Sequence, residues 1–124
     1  MMLRAAERDV EALRVMGDPN ATSDEVFGFH VQQAAEKALK ARIALLGEVY
    51  PLTYDIEELL DRLGSSGSST EPFQALIPYT PYAVAFRYAG VKPDLERIDR
   101  EGALALVEAL LNEVERELAD AESD

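Results

Sequence analysis

Three polar residues that could take part in chemistry lie at helical spacing in one stretch of the chain. His30, Gln33 and Lys37 are separated by three and then four residues, which places them on one face of a helix. We call these three residues the polar row. Histidine can exchange a proton near neutral pH, glutamine can hydrogen-bond a base edge, and lysine can contact a phosphate. The row therefore has residue types suited to binding a nucleotide, or to cleaving RNA by acid–base catalysis beside a cation.

Each member of the polar row also has a structural interpretation. His30 can be a half-buried helix residue whose ring nitrogens bond to other side chains of a bundle, and we favour this interpretation because intermediate burial is usual for histidine. Gln33 can satisfy a backbone group of a neighbouring helix, and Lys37 can lie on the surface. For these two residues the binding and the structural interpretations stay open.

A predicted structural pair involves a second part of the chain. Glu36 lies in an alanine-rich helical pattern, where a buried carboxylate needs a partner. Arg87 is flanked by aromatic residues, and a guanidinium group can bind a carboxylate through two hydrogen bonds. We therefore predict that Glu36 and Arg87 approach one another. Arg87 and Tyr88 are also candidate ligand-binding residues.

An aromatic set near the middle of the chain could stack on a nucleobase. Residues at helical spacing of this kind more often belong to the core or to a dimer interface, and we favour that interpretation. The set consists of Tyr79, Tyr82, Phe86 and Tyr88.

No metal site, cofactor site or catalytic residue is predicted. The chain has no cysteine and one histidine, so a thiolate metal site is excluded. Two acidic groups, within residues 57–61 and 94–99, lack the convergent arrangement of metal ligands and are typical of solvated surfaces. A Gly-rich phosphate loop and a nucleophile elbow are both missing from the sequence.

Composition limits the classes of partner. The chain has 124 residues, with 12 basic and 24 acidic side chains and a formal net charge of −12. This charge disfavours non-specific binding of nucleic acid. The apolar runs are too short to span a membrane, and the charged amphipathic pattern of residues 1–17 is not that of a signal peptide. We predict a single-domain cytoplasmic protein.

The polar row must be positioned by the helix predicted over residues 24–47. Ser23 or Asp24 can cap its start, and Gly47 can end it. Its apolar face contains several alanines, whose short side chains let neighbouring helices approach closely, so we place it at the centre of a bundle. These alanines are Ala34, Ala35, Ala38 and Ala41.

Four other helical patterns surround this one. They cover residues 1–16, residues 55–63, a segment that starts after Thr70 and is kinked or split at Pro78 and Pro81, and a last helix capped by Asp99 that runs to about Leu118. No stretch alternates like a strand. The sequence predicts an all-α, up-and-down bundle of four long helices and one short helix over residues 1–118, with a frayed acidic tail at 119–124.

Three segments resemble signatures of the HEPN-domain family of small prokaryotic helical proteins. Residues 29–41, FHVQQAAEKALKA, resemble the family's FHAQQAAEKALKA, and residues 53–60, TYDIEELL, are similar to its TH-D-L-EELL segment. Residues 82–90, YAVAFRYAG, resemble YAVEARYPG. The resemblance implies a five-helix bundle that pairs into a homodimer. It also implies association with a minimal nucleotidyltransferase, as its presumed substrate-binding subunit.

Related domains of this family include toxin ribonucleases of the toxin–antitoxin kind, which use an arginine followed one to two helical turns later by a histidine. In this chain the nearest arginine before His30 is Arg14, which is too distant for that motif. Tyr54, Ala85 and Ala89 also stand where the family usually has histidine, glutamate and proline.

Three hypotheses follow for the function. The first is a non-catalytic binding or partner subunit that forms a homodimer and binds a nucleotide or another polar substrate near the polar row. The second is a divergent, metal-independent ribonuclease with His30 as base and Lys37 or Arg87 as phosphate clamp. The third is a self-associating bundle without a small-molecule site.

Overall fold

Helices account for every regular element of the computed structural model, which describes residues 2–84 and 97–123. These are α1 (Met2–Arg14), α2 (Asp24–Leu45), α3 (Ile56–Ser65), a 3₁₀ helix (Glu71–Ala83) and α4 (Arg100–Ser123). No residue of the described ranges belongs to a strand. The predicted all-α bundle is confirmed.

Helix α2 is the central element. It packs against α1, α3, α4 and the 3₁₀ helix. The four alanines of its apolar face are buried, which allows this close approach on several sides. Ser23 Oγ accepts the N–H of Val26 at 3.3 Å, and Gly47, with φ of +80°, follows the last turn. Both predicted ends of this helix are therefore confirmed.

The other helices contribute the apolar faces that their periodicity predicts. Their side chains meet those of α2 in one continuous core, with Val10 and Leu13 from α1, Ile56, Leu59, Leu60 and Leu63 from α3, and Val107, Leu110 and Val114 from α4. Among the described helices, none is long and apolar enough to cross a membrane.

Two aspartates fix the starts of α3 and α4. Asp55 Oδ1 accepts the N–H of Glu57 at 3.0 Å, and Asp99 Oδ1 accepts the N–H of Gly102 at 3.0 Å. Helix α4 then continues to Ser123, beyond the end that we predicted near Leu118.

The segment after the serine-rich loop differs from the α-helix that we predicted. Residues Glu71–Ala83 form one uninterrupted 3₁₀ helix that passes through both Pro78 and Pro81. Each proline removes an N–H donor, and its ring would clash with the carbonyl four residues earlier in an α-helix. The segment winds as a 3₁₀ helix instead, and it is not split in two at either proline.

A buried arginine at the start of α4 holds the connection between α1 and α2. The guanidinium of Arg100 donates to the carbonyl oxygens of Met16 at 2.8 Å and Thr22 at 2.7 Å. It also donates to Asp24 Oδ1 at 2.9 Å, and its Cζ lies 4.9 Å from the centre of the Phe27 ring. These contacts fix the start of α2, and thereby the position of the polar row.

Candidate ligand-binding site on α2

The polar row is joined by a residue of α1 that the sequence analysis did not single out. Asp9 Oδ1 lies 2.9 Å from His30 Nδ1, and Asp9 Oδ2 lies 2.8 Å from Lys37 Nζ. Asp9 is 8% exposed, whereas the side chains of His30 and Lys37 are 27% and 26% exposed. A single, nearly buried carboxylate therefore bonds two members of the polar row.

Helix geometry explains how one carboxylate reaches both residues. His30 and Lys37 are separated by about two turns, roughly 10 Å along the axis. Side chains of a helix lean toward its N-terminus, so the long Lys37 side chain extends back toward His30. Asp9 lies on the neighbouring α1 and contacts both side chains.

The contact with Asp9 orients the His30 ring. An ionised carboxylate only accepts hydrogen bonds, so Nδ1 carries the proton of this bond. In the neutral ring Nε2 is then a hydrogen-bond acceptor. The ring also makes an edge contact with Phe29, with ring centres 5.4 Å apart and an angle of 79° between the planes. His30 thus has a defined orientation, in agreement with the structural interpretation that we favoured.

Gln33 belongs to a second hydrogen-bonded chain. Its Nε2 donates to Gln32 Oε1 at 2.7 Å, and Gln32 Nε2 donates to Glu36 Oε1 at 3.0 Å and to the carbonyl of Tyr54 at 2.8 Å. Gln32 is fully buried, so its amide needs these partners. These hydrogen bonds hold the Gln33 amide in place.

Glu36 finds partners within its own helix. Its Oε2 accepts from Lys40 Nζ at 2.9 Å, and Lys40 is itself buried, with Nζ 5.5 Å from the centre of the Tyr50 ring. Arg87, the predicted partner of Glu36, lies outside the described residues. The same holds for Tyr88, so the ligand-binding role suggested for these two residues stays a prediction.

The described part of the aromatic set belongs to the core. Tyr79 and Tyr82 are buried, and their ring centres lie 5.7 Å apart. A Cβ added at Gly28 of α2 would overlap the Tyr82 ring, so the absence of a side chain at this glycine lets the tyrosine pack against the helix. Burial raises the pKa of Tyr79 to about 12, and the neighbouring Tyr82 and Asp99 reinforce the shift. These two residues therefore fill space between helices.

Several grooves lie elsewhere on the described surface, and two of them have contrasting linings. One, of about 340 Å³, is mainly apolar and lies between the start of α1 and the ends of α2 and α4. The other, of about 400 Å³, lies between α1 and α4 and is lined by charged side chains. There a hydrogen bond with Glu7 raises the pKa of Glu115. Neither groove is lined by a residue of the polar row.

The polar row lacks the features of a metal centre. The described residues contain no group of three or more histidine, cysteine, aspartate or glutamate side chains that could hold a metal ion. The polar row consists instead of one imidazole, one amide and one ammonium group, and the imidazole and the ammonium group share the carboxylate of Asp9. Chemically this arrangement can donate and accept hydrogen bonds, and it can orient a base.

The family of the chain is shown by a comparison over nearly its whole length. A model of the HEPN domain matches residues 1–117. The chain belongs to the HEPN-domain family. No curated protein and no solved structure shows a significant match to this HEPN domain. HEPN domains include both ribonucleases and nucleotidyltransferase-associated proteins, so the family by itself does not fix the activity.

Proposed function

We propose that this HEPN domain is a non-catalytic binding and partner subunit. It forms a homodimer, associates with a nucleotidyltransferase, and uses the polar row to bind a nucleotide through its base. The observation that supports this role is the shared carboxylate of Asp9, which bonds His30 and Lys37 through separate oxygens.

Asp9 compensates the charge of Lys37, and this determines whether the polar row binds the base or the phosphate of a nucleotide. The ammonium of Lys37 is already paired with a carboxylate, so it has little positive charge to offer a phosphate. The net charge of −12 adds a repulsive field for any anion. The groups suited to a ligand are then the acceptor Nε2 of His30 and the amide of Gln33, which match the hydrogen-bonding edge of a nucleobase.

The partner role is supported by family membership together with the sequence motifs. Residues 29–41, which resemble the family's FHAQQAAEKALKA signature, are the part of α2 that carries the polar row, and the resemblance implies association with a nucleotidyltransferase. The separation of Arg14 from His30 along the sequence gives no support to the ribonuclease motif of the toxin members.

The ligand half of the proposal is tested by thermal unfolding with nucleosides and their monophosphates. A ligand that binds only the folded state stabilises it, by about 2.7 kcal/mol at a concentration of 100 times Kd. At least one nucleoside should raise the Tm of the wild type, and Gln33→Ala should abolish the shift. Gln74→Ala, which changes an exposed glutamine of the 3₁₀ helix, should retain it. The ligand role is rejected if no nucleoside changes Tm, or if Gln33→Ala responds like the wild type.

The partner half is tested by mass and by co-purification. Sedimentation equilibrium should give twice the chain mass of 13.7 kDa, and a nucleotidyltransferase should co-purify from the source cells in stoichiometric amount. A monomer that brings down no nucleotidyltransferase would contradict this half of the proposal.

The ribonuclease hypothesis is kept as a second candidate because of one contact. A carboxylate on Nδ1 is the arrangement that orients a histidine as a general base at its other nitrogen. If the domain is a ribonuclease, purified protein cleaves RNA without added metal, and His30→Ala abolishes cleavage while its circular dichroism spectrum stays unchanged. RNA left intact by the wild type rejects this candidate.

A further inference from the structure

The apolar groove is formed by three chain segments that meet at one end of the bundle. Met2 and Leu3 of α1, Leu45 of α2, Tyr50 of the following loop and Leu118 of α4 line it. Its volume of about 340 Å³ is within the range of sites that hold small ligands or anchoring side chains.

The loop beside this groove exposes further large apolar side chains. Leu46 is 43% exposed, Val49 is 87% exposed and Leu52 is 97% exposed. Single exposed apolar residues are ordinary, but these three lie within seven positions of a segment whose Leu45 and Tyr50 line the groove, which places further apolar area close to it along the chain. We call the groove and these three residues the end surface.

Acidic side chains adjoin the end surface on the side of α4. A neighbouring groove shares Leu3 and Leu118 with it and is lined by Glu7, Glu115 and Glu122 against one cation, Arg4. Along the chain, Leu52 is followed by α3, whose first turns expose Glu57, Glu58 and Asp61. We call these two acidic groups the acidic flanks. An apolar patch with acidic side chains nearby complements a ligand with an apolar face and cationic edges.

We propose that the end surface binds a cationic amphipathic helix of a partner protein. Its apolar face packs along Val49 and Leu52 and places a side chain in the groove, while its lysines and arginines face the acidic flanks. A second copy of this chain is disfavoured as the occupant of this particular surface, because two copies paired here would place their acidic flanks against one another. The inference rests on the proposed role as a partner subunit, and it does not depend on the polar row.

The test uses the full chain and a labelled helical peptide of leucine and lysine, about 14 residues or roughly four turns long. Fluorescence anisotropy should show binding that weakens as salt increases. The combined change Val49→Ser and Leu52→Ser should lower the affinity by about tenfold or more, since these side chains form the hydrophobic contact. Both residues are exposed, so the fold should be retained, as circular dichroism can verify.

Two matched controls make the result specific. Val15→Ser changes another valine that is 82% exposed, and it should leave the affinity unchanged, because Val15 follows the last residue of α1 whereas Met2 of the groove is the first. A peptide in which glutamate replaces lysine should not bind. The inference is overturned if the glutamate peptide binds equally well, if the lysine peptide does not bind, or if Val15→Ser weakens binding as much as the double variant.

Failure of the end surface and failure of the partner role are distinguishable. If a nucleotidyltransferase co-purifies equally with the wild type and with the Val49→Ser, Leu52→Ser variant, the partner role stands. The end surface then does not bind this partner. If the peptide binds as expected but no nucleotidyltransferase co-purifies, the surface stands and the partner must be another protein. Self-association of the wild type that is lost in the double variant would assign the surface to a second copy and overturn the inference.

Discussion

Asp9 on α1 bonds His30 on α2, with Oδ1 and Nδ1 2.9 Å apart, while the other carboxylate oxygen holds Lys37. The contact connects two helices through charged groups at the edge of an otherwise apolar interface. It also fixes the orientation of the imidazole and compensates the charge of the ammonium group. The three residues therefore act as a unit, and a change in Asp9 should alter both stability and ligand preference.

Replacing Asp9 by asparagine should destabilise the fold by about 1–3 kcal/mol, because it removes the negative charge paired with Lys37 and replaces one accepting oxygen by an amide donor in a nearly buried position. Urea unfolding measures this change. Asp61→Asn, at an exposed position of α3, should change the free energy of unfolding by less than about 0.5 kcal/mol. Equal stabilities of the two variants would show that the contact contributes nothing.

The same contact should be visible in the wild-type protein by nitrogen-15 NMR of the imidazole. The neutral His30 ring should carry its proton on Nδ1, since this nitrogen donates to Asp9. In Asp9→Asn the preference for this tautomer should fall. A wild-type ring protonated on Nε2 alone would be inconsistent with the observed contact.

Gly28 should not tolerate even one added methyl group. Gly28→Ala places a Cβ into the Tyr82 ring, so α2 and the 3₁₀ helix must separate, at a cost of about 1–3 kcal/mol in the free energy of unfolding. The control is Gly17→Ala, where an added Cβ meets no atom within 4 Å. Thermal and urea unfolding should give Gly28→Ala a clearly lower Tm and a lower free energy of unfolding than Gly17→Ala. The reverse order would refute the packing argument.

Arg100 should be among the polar residues on which stability depends most. In Arg100→Met the carbonyls of Met16 and Thr22 lose their donor, which should cost about 2–3 kcal/mol. Arg14→Met removes an arginine that is 54% exposed and paired with Glu108, and should cost less than about 1 kcal/mol. Similar losses for the two variants would contradict the role assigned to Arg100.

Alkaline pH should destabilise the fold through Tyr79. Its pKa is raised by burial from 10.0 to about 12 in the folded state, so below pH 10 the hydroxyl is protonated in both states and its contribution is fully present. Between pH 10 and 12 the unfolded chain ionises more readily, and the free energy of unfolding should fall. Tyr79→Phe should show a shallower decline over this interval, whereas an unchanged slope would argue against the shift.

Much of the fold could be predicted from the sequence because the relevant signals are local. The apolar periodicity and the buried alanines define α2, and short polar side chains at Ser23, Asp55 and Asp99 define where three helices begin. The 3₁₀ winding of Glu71–Ala83 was not predicted, since prolines signal that an α-helix is disfavoured without specifying what replaces it.

The contacts of the candidate site were harder to predict because they join distant parts of the chain. The residues of the polar row were identified from their spacing on one helix, but that spacing gives no information about α1. A signal for Asp9 existed: it lies three residues after Ala6 and four before Leu13, within the buried face of α1, where a carboxylate requires partners. Arg100 gave no such signal, since its hydrogen bonds go to a loop and to the first residue of α2, both about 80 residues away along the chain.

Asp9 compensates the positive charge of Lys37, and the polar row therefore suits a base and not a phosphate. Titration calorimetry with a nucleoside that binds and with its monophosphate, on the wild type and on Asp9→Asn, tests this most directly. The wild type should bind the nucleoside at least as tightly as the monophosphate, because the net negative charge repels the phosphate. Asp9→Asn should shift the preference toward the monophosphate by about tenfold, which corresponds to about 1.4 kcal/mol, because Lys37 is released. A wild type that already prefers the monophosphate tenfold, with no change in Asp9→Asn, would contradict the account.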